Sequence, residues 1–295
     1  NMTDFIKRGI IPIGAYCAPQ CPREELKNRI TLKQYKLAKD FGLDITYGHT
    51  EIIGTPTEKF VFDALDYCGQ VGIKYFVKDK IALEYLALED SDEFKSYKEL
   101  TEKEKADLNS RFEKSLKRYC GYKAFGGISF ADEPGYDSLD GIAEAKKVFD
   151  KICPDKTFYV NMYPYYITPE QFQFGYWCKS EKLKCSIDEF KLKDGVRNIK
   201  RYEHLYDGFI EKVKPQFFSY DAYPFTTIGT ADTGVHEILW ELPQFLHKKE
   251  SLNGVPFVAF LQAGGKWEGD LHVRIPTLGE IKLGVSVPLL FGAKG

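Results

Sequence analysis

The central stretch of the chain is Gly126-Gly127-Ile128-Ser129-Phe130-Ala131-Asp132-Glu133-Pro134-Gly135-Tyr136, a short apolar segment followed by two carboxylates and a Pro-Gly turn. Enzymes with parallel α/β sheets carry reactive groups at the carboxyl ends of strands, because the strand fixes the side chain while the following loop admits the ligand. The stretch therefore predicts a buried parallel strand with Asp132 and Glu133 at its exit.

Apolar strands alternate with amphipathic helical segments on both sides of this stretch. The other strands are predicted at residues 10–16, 43–47, 73–77, 157–162, 216–221 and 256–262, and residues 293–295 resemble the opening of an eighth. Alternation of this kind is typical of a parallel sheet whose crossovers are helices. We therefore predict an α/β protein with a (β/α)8 TIM-barrel fold, its eighth strand only begun, formed as one domain by residues 1–295.

An open doubly wound sheet is the alternative fold. It is disfavoured because no Gly-x-Gly-x-x-Gly follows the first strand and no phosphate-binding Gly-Lys-Ser/Thr is present. Strong helix starts are predicted at Thr31, at Thr55-Pro56-Thr57-Glu58 and at Thr277 with Glu280. Residues 163–194, which are rich in Tyr and Trp, are predicted to form an extended loop.

Composition excludes several classes of partner. The net charge is −2 without a basic face for nucleic acid, and no apolar run has the length of a membrane span. Seven cysteines without a Cys-x-x-Cys pair, and five scattered histidines, predict neither a metal site nor a cofactor. Because Asn1 precedes Met2 and the chain stops at Gly295, the ends are compatible with a segment of a longer chain, and localisation is not predicted from them.

The period of two along a strand assigns the faces of the site. In strand four Glu133 shares one face with three small residues, Gly127, Ser129 and Ala131. Small residues are expected at the barrel axis, so Glu133 is predicted to point into the mouth of the barrel. Asp132 lies on the opposite face and joins the mouth only if the chain curls at the Pro-Gly turn.

Further residues at strand exits are predicted to line the same mouth. In strand six Asp221 and Tyr223 share a face, and Asp221 is the best-placed second carboxylate. The other substrate-binding candidates lie at or just past the ends of strands one, two, five and seven or on predicted mouth loops: Tyr16, His49, Asn161, Tyr163, Gln262, Trp177 and Trp267. Glu51 and Glu268 are looser candidates.

Paired carboxylates suit acid–base chemistry. Two nearby carboxylates cannot both ionise freely, so the pKa of one rises and that group can act as a general acid near neutral pH. Cleavage of a glycosidic bond needs such an acid at the leaving oxygen and a second group at the anomeric carbon.

Three motifs resemble glycoside hydrolase barrels of the broad β-glycosidase superfamily. They are Phe-Ala-Asp-Glu-Pro-Gly at 130–135, Ser-Tyr-Asp-Ala-Tyr-Pro at 219–224, and Arg274-x-Pro276-Thr277-x-x-Glu280. Within that superfamily the Asp-Glu pair is similar to the substrate-assisted hexosaminidases, in particular the family 123 β-N-acetylgalactosaminidases. The resemblance implies that Glu133 is the acid/base, that Asp132 orients the substrate's 2-acetamido group, and that Tyr223 is a nearby donor.

The chain also departs from related barrels. Two-carboxylate retaining enzymes of the superfamily usually have Asn-Glu at strand four and a nucleophilic Glu at the end of strand seven, where this chain has Gln262. The alternatives are a two-carboxylate glycosidase that uses Glu133 and Asp221, or a barrel that binds carbohydrate without cleaving it. The resemblance alone favours a bacterial, secreted or cell-surface protein with a carbohydrate substrate, and it leaves the sugar and the oligomeric state open.

Overall fold

The computed structural model describes residues 5, 7–16, 19–20, 22, 27–86, 97–164, 169–175, 199–225, 237–268 and 271–295. Within them the first five strands pair in parallel and in chain order. These strands are β1 (Gly14–Ala15), β2 (Ile45–Tyr47), β3 (Lys74–Val77), β4 (Phe125–Asp132) and β5 (Thr157–Asn161). Their order is that of a barrel wall.

The wall continues through β6 (Phe218–Ala222) and β7 (Phe257–Leu261), which pair in parallel. A parallel bridge joins β5 to β6, and in it the Met162 amide donates to the Ser219 carbonyl at 2.8 Å.

The last residues of the chain continue past β7. The Lys294 amide donates to the Phe257 carbonyl at 2.9 Å, and the Ala259 amide donates to the Gly295 carbonyl at 3.1 Å. Gly295 also lies beside Pro12, just ahead of β1. The fold is therefore a TIM barrel whose eighth strand is begun, which confirms the predicted fold class.

Helices follow the strands as predicted. The described helices are α1 (Leu32–Asp40), α2 (Glu58–Val71), α3 (Ala82–Leu86), α4 (Glu102–Tyr119), α5 (Leu139–Ile152), α6 (Pro169–Phe174), α7 (Ile199–Val213), α8 (Leu242–Asn253) and α9 (Leu278–Leu290). At α9 the predicted capping box is present, with Thr277 and Glu280 each accepting from the other's backbone amide. No helix among the described residues is long and apolar enough to cross a bilayer.

Two segments differ from the predicted loops. Residues 163–194 contain α6, and part of that segment lies outside the described residues. The stretch after β7 forms an antiparallel hairpin of β8 (Lys266–Glu268) and β9 (Leu271–Val273). Each element is only three to six residues long, so its hydrophobic period is too short to identify from sequence.

Aromatic rings fill the barrel interior. The Tyr47 ring lies 4.8 Å from the rings of Phe76 and Tyr159 and 5.4 Å from that of Phe260. These residues lie on β2, β3, β5 and β7, and rings from such separated strands can meet only inside the barrel. The expectation that small residues line the axis is therefore wrong for these strands, because tilted and edge-to-face aromatic rings fill the interior there.

Candidate active site

A β-bulge in β4 directs Asp132 into the mouth. Ser129 pairs with Tyr159 and Ala131 with Val160, so the register shifts by one residue between them. Phe130 and Ala131 both pack in the core between the strands and the helices. Because one extra residue reverses the side-chain alternation that follows it, Asp132 faces the inside of the barrel. The bulge, rather than a curl at the Pro-Gly turn, brings Asp132 into the site.

One buried amide connects the carboxylates of β4 and β6. Asn161 Nδ2 donates to Asp132 Oδ1 at 3.1 Å and to Asp221 Oδ1 at 2.8 Å. The two carboxylates fix the orientation of this amide, because ionised carboxylates only accept hydrogen bonds. Asn161 Oδ1 in turn accepts from Ser219 Oγ and from the Tyr159 hydroxyl, each at 3.2 Å. Since both carboxylate oxygens contact the same nitrogen, they lie within ~6 Å of each other.

The Asp221 carboxyl binds its proton more tightly than an ordinary aspartate does. Burial, followed by the nearby charge of Asp132, raises the pKa of Asp221 to about 6, although hydrogen bonds from Asn161 and Tyr223 oppose the shift. Burial, and next the Asp221 charge, raises the pKa of Tyr223; the charges of Asp132 and Glu133 add to this effect. Tyr223 therefore stays a neutral donor beside the acids.

Glu133 lies in a strained turn that packs against the residue following α6. Its backbone is left-handed (φ 48°), and its amide donates to the Asn161 carbonyl at 2.8 Å. Pro134 bridges Gly175, which follows α6, and an added Cβ on Gly135 would lie 2.3 Å from the Gly175 nitrogen. Only glycine fits this approach, so α6 fixes the turn that carries Glu133.

Tyr16, directly after β1, lies beside Asp132 at the edge of the mouth. Its hydroxyl donates to Asp132 Oδ2 at 3.4 Å, and its ring lies 5.9 Å from the His49 ring. Lys78, directly after β3, donates from Nζ to the Tyr16 hydroxyl at 3.3 Å. Lys78 is absent from the sequence-predicted site, although a polar residue at a strand exit is the signal that could have identified it.

Two predicted binding residues, Gln262 and Tyr163, are engaged within the protein. Gln262 uses its side-chain oxygen to accept from the Phe225 amide at 2.9 Å, while its nitrogen donates to the carbonyls of Phe225 at 3.1 Å and Arg274 at 2.6 Å. Tyr163 is 2% exposed and packs in the outer core.

Four candidates remain, and the described residues include three of them. Trp267 belongs to β8 of the hairpin, as does Glu268, and Trp177 lies outside the described residues. Glu51 is 1% exposed and accepts a 2.6 Å hydrogen bond from the hydroxyl of Tyr75, a residue of the outer core.

Comparison with known proteins identifies the architecture. No protein-family model matches the chain, and no curated protein matches it in sequence. A structure from Bacteroides thetaiotaomicron assigned as an alpha-L-fucosidase matches with a TM-score of 0.57 at 11% identity, over 96% of this chain and 83% of that one. The beta-galactosidase from the psychrophilic Marinomonas ef1 matches with a TM-score of 0.54 at 9% identity, over 96% of this chain.

This fold is one that glycoside hydrolases use. The chain spans about half of the beta-galactosidase, 52% of its length. Because identities of 9–11% show shared architecture alone, the activity has to be argued from the site.

Proposed function

We propose that the protein is a glycoside hydrolase that cleaves a β-linked sugar with Glu133 as general acid/base. The supporting observation is the group of carboxylates at the barrel mouth, where one buried amide holds Asp132 and Asp221 together beside the strand exit that carries Glu133. Acids at the carboxyl ends of barrel strands are where a substrate can reach them.

In the first step the Glu133 carboxyl protonates the glycosidic oxygen as its bond to the anomeric carbon breaks. The carbonyl oxygen of the substrate's 2-acetamido group forms the new bond to that carbon, which produces a cyclic oxazolinium. The Glu133 carboxylate then takes a proton from water, and the water oxygen opens the ring. Asp132 orients the acetamide, a role that suits a carboxylate held on one oxygen by Asn161 and on the other by Tyr16.

The exit of β7 supports a mechanism that uses the substrate as nucleophile. Gln262 stands where two-carboxylate relatives have a nucleophilic Glu, and its amide is engaged by backbone groups. Asp221 accepts hydrogen bonds from Asn161 and Tyr223, and its pKa of about 6 leaves it partly protonated near that pH. Both features weaken the case for a protein nucleophile.

A two-carboxylate mechanism with Glu133 and Asp221 is the second candidate. The observation that favours it is Tyr223, which hydrogen-bonds Asp221 and is also close enough to Glu133 to respond to its charge. In that mechanism Asp221 would act at the anomeric carbon, either as the nucleophile or as the base that activates a water molecule.

Kinetics on aryl β-glycosides with and without a 2-acetamido group test the proposal. We expect hydrolysis only of 2-acetamido substrates, with kcat lowered ~100- to 10,000-fold in Glu133→Gln and by a similar factor in Asp132→Asn. Glu144→Gln, at a surface ion pair with Lys147, is the control and should retain full activity.

Three results would change the proposed mechanism or the proposed function. Full activity of Asp132→Asn would exclude substrate assistance through that residue. Loss of activity in Asp221→Asn together with cleavage of sugars that lack the acetamide would support the two-carboxylate mechanism. Sugar binding without released reducing ends would instead identify a carbohydrate-binding barrel.

A further inference from the structure

Lys78 places a positive charge at the edge of the mouth. Its side chain is half-buried, and its ammonium lies 5.4 Å from the centroid of the Tyr16 ring as well as 3.3 Å from the Tyr16 hydroxyl. Contact with both the ring and its oxygen holds the ammonium at one position. The lysine therefore presents a fixed cation next to the acids rather than a mobile surface charge.

This cation is not neutralised by the acids beside it. Among the described residues, no carboxylate oxygen lies within the 4.0 Å ion-pair distance of the Lys78 ammonium. Two other lysines differ in this respect: Lys98 and Lys212 contact Asp140 at 3.1 and 3.0 Å. Tyr16 separates Lys78 from Asp132, because its hydroxyl accepts from the lysine and donates to the carboxylate.

We propose that Lys78 forms an anion subsite and that the sugar taken by this enzyme carries an acidic substituent, either a carboxylate or a sulfate ester. The inference rests on the proposed glycosidase function and extends it to the class of substrate. A sugar with its anomeric carbon at Asp132 and Glu133 has ring substituents that reach the Tyr16 edge of the mouth. An anionic substituent there completes an ion pair for which the described part of the chain supplies no carboxylate.

The acids make this subsite selective. A negative group elsewhere in the mouth would approach Asp132, Glu133 and Asp221 and be repelled, whereas at Lys78 it meets the opposite charge. A neutral sugar leaves the lysine solvated and gains nothing from it. Preference for an anionic sugar should therefore depend on Lys78 and weaken as salt is added.

The test compares matched neutral and anionic ligands. Kinetics use 4-nitrophenyl 2-acetamido-2-deoxy-β-glycosides of gluco and galacto configuration, either unsubstituted or sulfated at C3, C4 or C6. Calorimetry compares binding of glucuronic and galacturonic acid with that of glucose and galactose. We expect at least one anionic ligand to be preferred ~10- to 100-fold over its neutral counterpart, the range typical of a charged hydrogen bond.

Variants assign that preference to the lysine. Lys78→Met should abolish it, because kcat/KM then falls further on the anionic substrate than on the neutral one, and Lys78→Arg should retain it. Lys80→Met is the matched control, because Lys80 is exposed two residues further along the chain, and it should keep the preference. Whether sulfates or carboxylates show the Lys78-dependent effect identifies the source of the charge.

Two outcomes would overturn the subsite. One is the absence of preference for any anionic ligand in both assays. The other is an equal loss on neutral and anionic ligands in Lys78→Met, which would show that the lysine acts only through Tyr16. If no glycoside is hydrolysed the proposed function fails, and calorimetry of the acidic sugars alone then decides the subsite.

Discussion

Two side-chain amides at strand ends, those of Asn161 and Gln262, are buried to a similar extent but bind different kinds of partner. Asn161 ends β5 and is 4% exposed, while Gln262 follows β7 and is 5% exposed. Each uses both its donor and its acceptor. Asn161 binds two carboxylates and two hydroxyls, whereas Gln262 binds backbone groups of Phe225, Gly264 and Arg274.

The contrast shows that burial and complete hydrogen bonding do not by themselves mark a functional residue. The partners do. Asn161 connects the carboxylates of β4 and β6, so under the proposed function it positions the groups that act on the substrate. Gln262 ties the chain after β6 to the chain after the hairpin, so it maintains the shape of the mouth.

Replacing Asn161 should have the largest effect on activity. Asn161→Ala removes the donor that both Asp132 and Asp221 share, so the carboxylates lose their orientation and repel each other. We expect kcat/KM to fall ~100-fold or more, a loss typical of a misplaced catalytic group. Steady-state kinetics on the best aryl glycoside measures the loss.

Ser219→Ala sharpens that test. It removes one of the two hydroxyls that hold the Asn161 oxygen and leaves Tyr159 in place, so the expected loss is ~10-fold or less. Normal kcat/KM in Asn161→Ala would show that this amide, like Gln262, has only a structural role.

Replacing Gln262 should mainly affect stability. Gln262→Ala leaves the Phe225 amide and the carbonyls of Phe225 and Arg274 without their side-chain partner. Because buried polar groups without partners are costly, we expect the free energy of unfolding to fall by ~2–4 kcal/mol. Urea denaturation measures this change, and kcat per folded molecule should stay within ~3-fold.

The opposite pattern, normal stability with a large loss of kcat, would contradict the structural role of Gln262. Gln262→Glu provides a second check. A carboxylate cannot donate to the Arg274 carbonyl, so this variant should also be destabilised and should not acquire a nucleophile in the mouth.

The barrel could be predicted from sequence because its wall strands and longer helices each have a local signal. Strand order, the α9 capping box and the eighth-strand segment all follow from short-range patterns. The aromatic interior could not be predicted. Rings on β2, β5 and β7 meet across the barrel, and local periodicity does not indicate which face of a short strand points to the axis.

The site was only partly predictable for a related reason. A polar residue at a strand exit is visible in the sequence, so Asp132, Glu133 and Asp221 were identifiable as candidates. The bulge in β4 was not visible there, and its extra residue turns Asp132 to the inner face of the barrel. The contacts of Asn161 join residues 29 and 60 positions away, which only the folded barrel brings together.

The smallest expected effect is the pH dependence of stability set by Asp221. Its pKa is about 6 in the folded protein, against an ordinary value of 3.8. Between these values the folded state binds more protons than the unfolded state, so the contribution of Asp221 to the free energy of unfolding falls as pH rises from about 4 to about 6. The full cost, present above that window, is at most ~3 kcal/mol.

Asp221→Asn removes this titration while keeping the shape of the side chain. The free energy of unfolding of the variant minus that of the unmodified protein should therefore increase by ~1–3 kcal/mol as the pH rises from 4 to 7. Urea denaturation at each pH measures this difference. Gln262→Ala is the control, because the backbone groups that it exposes do not titrate, and its curve should run parallel to that of the unmodified protein. Parallel curves for Asp221→Asn would mean that Asp221 is not the proton-binding partner of Asn161, and the distinction between the two amides would then rest on catalysis alone.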